Sequence, residues 1–98
     1  MNIFISQPMN GIPKETIKQV RAEAIAKIKN HYPQARILES GVDCKPCFTN
    51  AELWMLAISL EIMADADMVY FCEGWENARG CRIERECAER YGVRILEL

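Results

Sequence analysis

The chain has 98 residues, half of them hydrophobic and 27 % charged, with 14 acidic and 12 basic side chains for a net charge of −2. This length suits one compact domain and is short for two, and the composition is that of a folded chain rather than a disordered one. The lack of a basic excess argues against direct nucleic-acid binding, and no apolar run reaches the ~20 residues that cross a bilayer.

Charge is unevenly distributed. Residues 1–50 hold seven bases and four acids, and residues 51–98 hold five bases and ten acids. The first residues, MNIFISQPMNG, have neither the basic nor the long apolar region of a secretory signal, so a cytoplasmic location is expected. The five cysteines, Cys44, Cys47, Cys72, Cys81 and Cys87, are odd in number and mostly sit in apolar or helical patterns. That argues against a secreted disulfide scaffold.

Asn2 to Ser6 is apolar, β-branched and aromatic, and reads as a buried first strand. Gln7 to Gly11 is a turn. Pro13 suits a first helical turn, and Ile17, Val20, Ala24 and Ile28 recur at helical spacing, predicting an amphipathic helix over 13–30. Ala35 to Leu38 is a short second strand, followed by a loop over 39–48. Thr49 and Glu52 have capping-box spacing, and Leu53, Leu56, Leu60 and Met63 follow at helical spacing, predicting a helix over 50–64 with Thr49 as its cap. Met68 to Cys72 is a third strand, and Asp65 and Asp67 close the turn before it. A third helix runs over 80–91 and is terminated by Gly92. Val93 to Leu96 is a fourth strand.

Strands alternating with helices imply parallel pairing through right-handed crossovers. The expected fold is an α/β sandwich with a four-stranded parallel sheet in the order 2-1-3-4. Ligands of such sheets collect beyond the carboxyl ends of the strands, where strand order reverses. The loops after strands one and three, 6–11 and 73–80, are therefore the candidate site. The second loop feeds a helix N-terminus, whose unpaired N–H groups attract anions, and Arg79 and Arg82 reinforce it. Neither a Walker A loop nor a GxGxxG fingerprint is present, and no cofactor is expected.

Individual residues carry competing readings. Glu84 lies four residues before Ala88 and seven before Tyr91, at the border of the inward helix face. It is either a carboxylate fixed toward the pocket or an early-helix acid favoured by the helix dipole. Trp75 either stacks on a base or sugar or anchors its loop. Cys44 and Cys47 have the spacing of half a zinc site or a redox pair. With His31 the only histidine and the pair in a loop, a plain loop is the favoured reading and no metal is expected. Cys72, Cys81 and Cys87 read as small buried hydrophobes. The helix over 50–64 is apolar nearly all round, since Trp54, Met55, Ile58 and Ile62 add a second apolar face. Such a helix needs burial from both sides, predicting a homodimer or higher homo-oligomer through it.

The segment Ile3-Phe4-Ile5-Ser6-Gln7-Pro8-Met9-Asn10-Gly11 resembles the opening of small nucleoside 2-deoxyribosyltransferase-like domains. Residues 64–84, from Ala64-Asp65-Ala66-Asp67 through Gly74-Trp75 and Gly80 to Glu84, resemble a second segment of that family more closely still. The ending Val93-Arg94-Ile95-Leu96 fits its last strand. The resemblance implies a flavodoxin-like sheet, a homo-oligomer, and a nucleoside or nucleotide ligand. It implies that a glutamate attacks the anomeric carbon, and the family pattern Gly-x-x-x-Glu-x-x-x-Ala places that glutamate at Glu84, between Gly80 and Ala88. It further implies that Ser6, Gln7, Met9 and Gly11 border the sugar and base, and that the Asn77–Gly80 turn holds the sugar's 5′ end or its phosphate. Three positions depart from the pattern. Ser59 stands where relatives carry Asp, Ala78 where they often carry Ser or Asp, and Gln7 where Gly is usual. Two functions stay open: an N-glycosidase or deoxyribosyltransferase, and a nucleotide- or phosphosugar-binding module with little turnover.

Overall fold

A computed structural model describes residues 1–39 and 49–98. Its elements are β1 (Asn2–Ser6), α1 (Lys14–His31), β2 (Arg36–Ile37), α2 (Ala51–Met63), β3 (Met68–Phe71), a short 3-10 turn (Trp75–Asn77), α3 (Arg79–Arg90) and β4 (Arg94–Ile95). The strands form one parallel sheet in the order β2-β1-β3-β4. This is the expected α/β architecture, consistent with a flavodoxin-like fold. Most of the expected 39–48 loop, with Cys44 and Cys47, lies outside the described residues.

The strictly alternating side chains of β1 organise both layers. Ile3 and Ile5 enter a core with Ala24 and Ile28 of α1 and with Met68, Cys72 and Leu96. Phe4 enters the other core, with Val69, Phe71, Leu38 and Met63, and Leu60 of α2 and Cys87 of α3 pack against it. Both faces of the sheet are thus covered, which explains its uniformly apolar strands. Burying a side chain such as Phe4 contributes ~1.5–3 kcal/mol. Continuing the alternation past Phe4 puts Ser6 on the α3 side and Gln7 on the α1 side.

Element ends follow local chemistry. Asn50, not Thr49, caps α2: its Oδ1 accepts from the Leu53 N–H at 2.9 Å. Asn serves as well as Thr at this position, and with the cap one residue later Glu52 is the second helical residue and not the third, so the expected capping box does not form. Gly92 adopts φ +71 after α3, and the Val93 N–H donates to the Ala88 carbonyl at 2.9 Å, a left-handed cap that β-carbon-bearing residues rarely adopt. At the opposite edge of the sheet from the candidate site, the Asn2 N–H donates to Asp67 at 2.6 Å, and the Asn2 amide donates to the Asp65 carbonyl at 3.1 Å. Among the described residues, no helix is long and apolar enough to cross a membrane.

Candidate functional site

The loops that leave β1 and β3 meet at the carboxyl edge of the sheet. The Cys72 N–H donates to the Ser6 carbonyl at 2.9 Å and joins their starting points. Gly74, at φ +90, turns the second loop back beside Pro8. Between these loops, the start of α3 and one side of α2 lies a groove of about 1180 Å³. Its polar edge carries Gln7, Asn77, Arg79 and Glu84. Leu53, Met55, Leu56 and Ile58 of α2 form an apolar wall. A polar edge opposed to an apolar wall is the usual lining of a small-molecule site.

Among the described residues Glu84 is the one buried acid, 7 % exposed, on the α3 face that also buries Cys81 and Ala88. Ser6, at the end of β1, is 1 % exposed, and its hydroxyl donates to Glu84 Oε1 at 2.6 Å. That length is typical of a hydroxyl donating to an ionised carboxylate. Burial pushes the Glu84 carboxyl above its ordinary range, and the Ser6 hydrogen bond opposes the rise by favouring the charged form. The second oxygen, Oε2, accepts no hydrogen bond from the described residues. Cys81 stands beside this pair. Burial raises its thiol pKa, the Ser6 hydroxyl lowers it, and the Glu84 charge raises it. The Cys72 thiol is pushed up to about 11, chiefly by burial. Both thiols therefore stay protonated at neutral pH and are poor nucleophiles.

The structure gathers most of the sequence-selected residues and separates a few. Gln7, Met9, Ser59, Asn77, Arg79, Gly80 and Glu84 line the groove. Ser6 does not reach it and acts behind Glu84. Gly11 supplies a left-handed turn at φ +76 outside the groove lining. Trp75 anchors its loop: its ring lies 5.6 Å from Phe71, and the Arg85 guanidinium stacks on it at 4.6 Å. Arg82 belongs to a separate recess of about 430 Å³ with Arg79, Ile83 and Glu86. Arg79 pairs with Glu52 across the mouth of the groove. Both side chains are mostly exposed, so the pair adds little stability. Ala78 has no side-chain cap to offer α3, leaving the first N–H groups of the helix without a side-chain acceptor.

Sequence reasoning missed the apolar wall. Met55 and Ile58 were expected on an oligomer surface, yet they face the groove. The apolar-all-round composition of α2 was the available signal. It required a second covering surface without saying that a ligand groove is part of it. Among the described residues, no three His, Cys, Asp or Glu side chains cluster closely enough to hold a metal ion.

Residues 1–97 match the family model described as Domain of unknown function (DUF4406). No curated protein and no solved structure matches the chain.

Proposed function

The chain belongs to the DUF4406 family, a group related to nucleoside 2-deoxyribosyltransferase-like proteins, and we propose that it cleaves the N-glycosidic bond of a nucleoside or nucleotide. The reading assigns Glu84 as the nucleophile and allows either hydrolysis or transfer to a second base. Its main support is the Ser6–Glu84 pair: a carboxylate buried at the groove, held through Oε1 at 2.6 Å, with Oε2 uncommitted.

The chemistry follows from that arrangement. Oε2 forms a bond to the anomeric carbon as the carbon–nitrogen bond breaks. The electron pair leaves with the base, which takes a proton from water. The glycosyl ester is then opened at the same carbon by water or by a second base, and the carboxylate is restored. Ser6 is a positioning residue here, since it holds the carboxylate without touching the sugar. The apolar α2 wall suits a nucleobase face, and the Asn77–Gly80 turn suits the 5′ end of the sugar. In this reading the protein is a homo-oligomer, and a second copy covers apolar α2 surface that the groove leaves exposed.

The test is direct. Purified protein is incubated with the 2′-deoxynucleosides and their 5′-monophosphates, and free base is followed by chromatography. The reading expects base release from at least one of them, lowered at least ~10²-fold in Glu84→Gln. No release from any of them, or release unchanged in Glu84→Gln, refutes it. A second reading, a binding module with little turnover, is favoured by Ser59 and Ala78, which stand where the pattern of the family that the sequence resembles has acids or hydroxyls. Saturable nucleotide binding without base release would establish it.

A further inference from the structure

Gln7 is a nearly buried amide whose hydrogen bonding is half complete. It follows Ser6 at the end of β1, so it turns to the opposite side, where its Nε2 donates to the Ile17 carbonyl of α1 at 3.1 Å. A carbonyl only accepts, so the nitrogen must be the end that faces it. The reversed amide would set two oxygens against each other. That fixes the other end. Among the described residues nothing donates to Gln7 Oε1. The residue is 9 % exposed, yet among the described residues no side-chain oxygen or nitrogen sealed from solvent lacks a partner. Oε1 is therefore open, and the surface that Gln7 lines is the groove that also holds Glu84. Pinned through its nitrogen, the amide keeps its oxygen as the free end of a residue that lines that groove.

Resting on the nucleoside reading above, we propose that Gln7 is a specificity-determining residue whose Oε1 accepts a hydrogen bond from an N–H or O–H donor of the bound nucleoside. The donor is an exocyclic base amine or a sugar hydroxyl. A ligand without it would displace water from a nearly buried acceptor and put nothing in its place, which is how a polar site rejects the lesser analogue. The tether to Ile17 makes the discrimination sharper, because the amide cannot swing away to find another partner. Glycine, usual at this place in the family the sequence resembles, offers no such acceptor.

Binding to the full chain is measured by titration calorimetry with 2′-deoxyadenosine and three depleted ligands. These are purine 2′-deoxyriboside, which lacks the amine, 2′,3′-dideoxyadenosine and 2′,5′-dideoxyadenosine. Wild type is compared with Gln7→Met, which keeps the length and loses the acceptor. Wild type is expected to bind one depleted ligand roughly 5- to 10-fold more weakly than the parent, which identifies the donor. In Gln7→Met that ratio falls to about one, by the same loss of a hydrogen bond. A ratio absent in wild type, or unchanged in Gln7→Met, overturns the assignment while leaving the nucleoside reading standing. Failure of all four ligands to bind overturns the assignment, and the nucleoside reading then stands or falls on its own base-release test. If Gln7→Met does not fold, wild type decides by carbon NMR. The Gln7 side-chain carbonyl resonance should move on saturation with 2′-deoxyadenosine and not with the weak ligand. An unmoved resonance overturns the assignment.

Discussion

Helices α2 and α3 border the same groove and are built on opposite plans. α3 is sharply two-sided: Cys81, Glu84 and Ala88 face the sheet, and most of the remainder is charged and exposed. Its one buried acid is therefore an exception within an otherwise small and apolar stripe, and a desolvated carboxylate persists in such a place only with a specific partner. α2 is apolar on every side, yet Met63 is its one fully buried residue, while Leu53 is 60 % and Met55 39 % exposed. The contrast separates two tasks. α3 holds a buried carboxylate against Ser6, and α2 offers apolar surface for a ligand, a second copy, or both to cover.

The sharpest way to break the comparison is at Glu84. Glu84→Gln should lower base release by at least ~10²-fold while the protein stays folded. It should also melt higher than wild type at neutral pH. The folded pKa of Glu84 is raised above its ordinary 4.5. Its favourable contribution is thus complete below that ordinary value and is lost as pH rises through the folded one. Thermal melts across pH should show the gap between variant and wild type closing below about pH 4.5. A variant less stable than wild type at neutral pH would mean that the carboxylate is structural.

Ser6→Ala should have the next largest effect. It removes the donor that favours the ionised form, so the acid limb of the pH–rate profile moves to higher pH and kcat falls about tenfold, the worth of a hydrogen bond to a charged group. A profile that does not move would show that Ser6 does not tune Glu84. On the α2 side, light scattering of wild type at micromolar concentration should give at least twice the mass of the chain. Leu53→Glu should weaken that assembly by about tenfold or more, since a charge replaces an apolar contact. A monomeric wild type would remove the second copy from the account. The smallest effect belongs to the α2 cap. Asn50→Ala should cost about 1 kcal/mol in chemical denaturation without changing ligand binding.

The order of elements and the arrangement of the sheet were legible because each strand and helix carries its own periodicity, and parallel connection rules leave few alternatives. The candidacy of Glu84 was legible from its place at the margin of the inward face. Its partner was not. Ser6 and Glu84 are 78 residues apart, and helix periodicity says nothing about a strand end so distant in the chain. Strand alternation holds part of that information, unused in the sequence reading, since Ser6 shares the parity of Phe4 and Gln7 that of Ile5. The role of Trp75 stays open in the sequence, and the cap falls there on Thr49 instead of Asn50, for a simpler reason. A loop tryptophan or an Asn next to a Thr has two chemically reasonable partners, and only the packed surroundings choose between them.

The central claim is that Glu84 is the group that bonds to the sugar. Wild-type protein mixed with the 2′-deoxynucleoside that it cleaves, quenched in acid during turnover and digested, should yield a peptide containing Glu84 that carries a deoxyribosyl ester by mass spectrometry. Glu84→Gln should yield none. Base release without any adduct at Glu84, or with the adduct on another residue, would contradict the account.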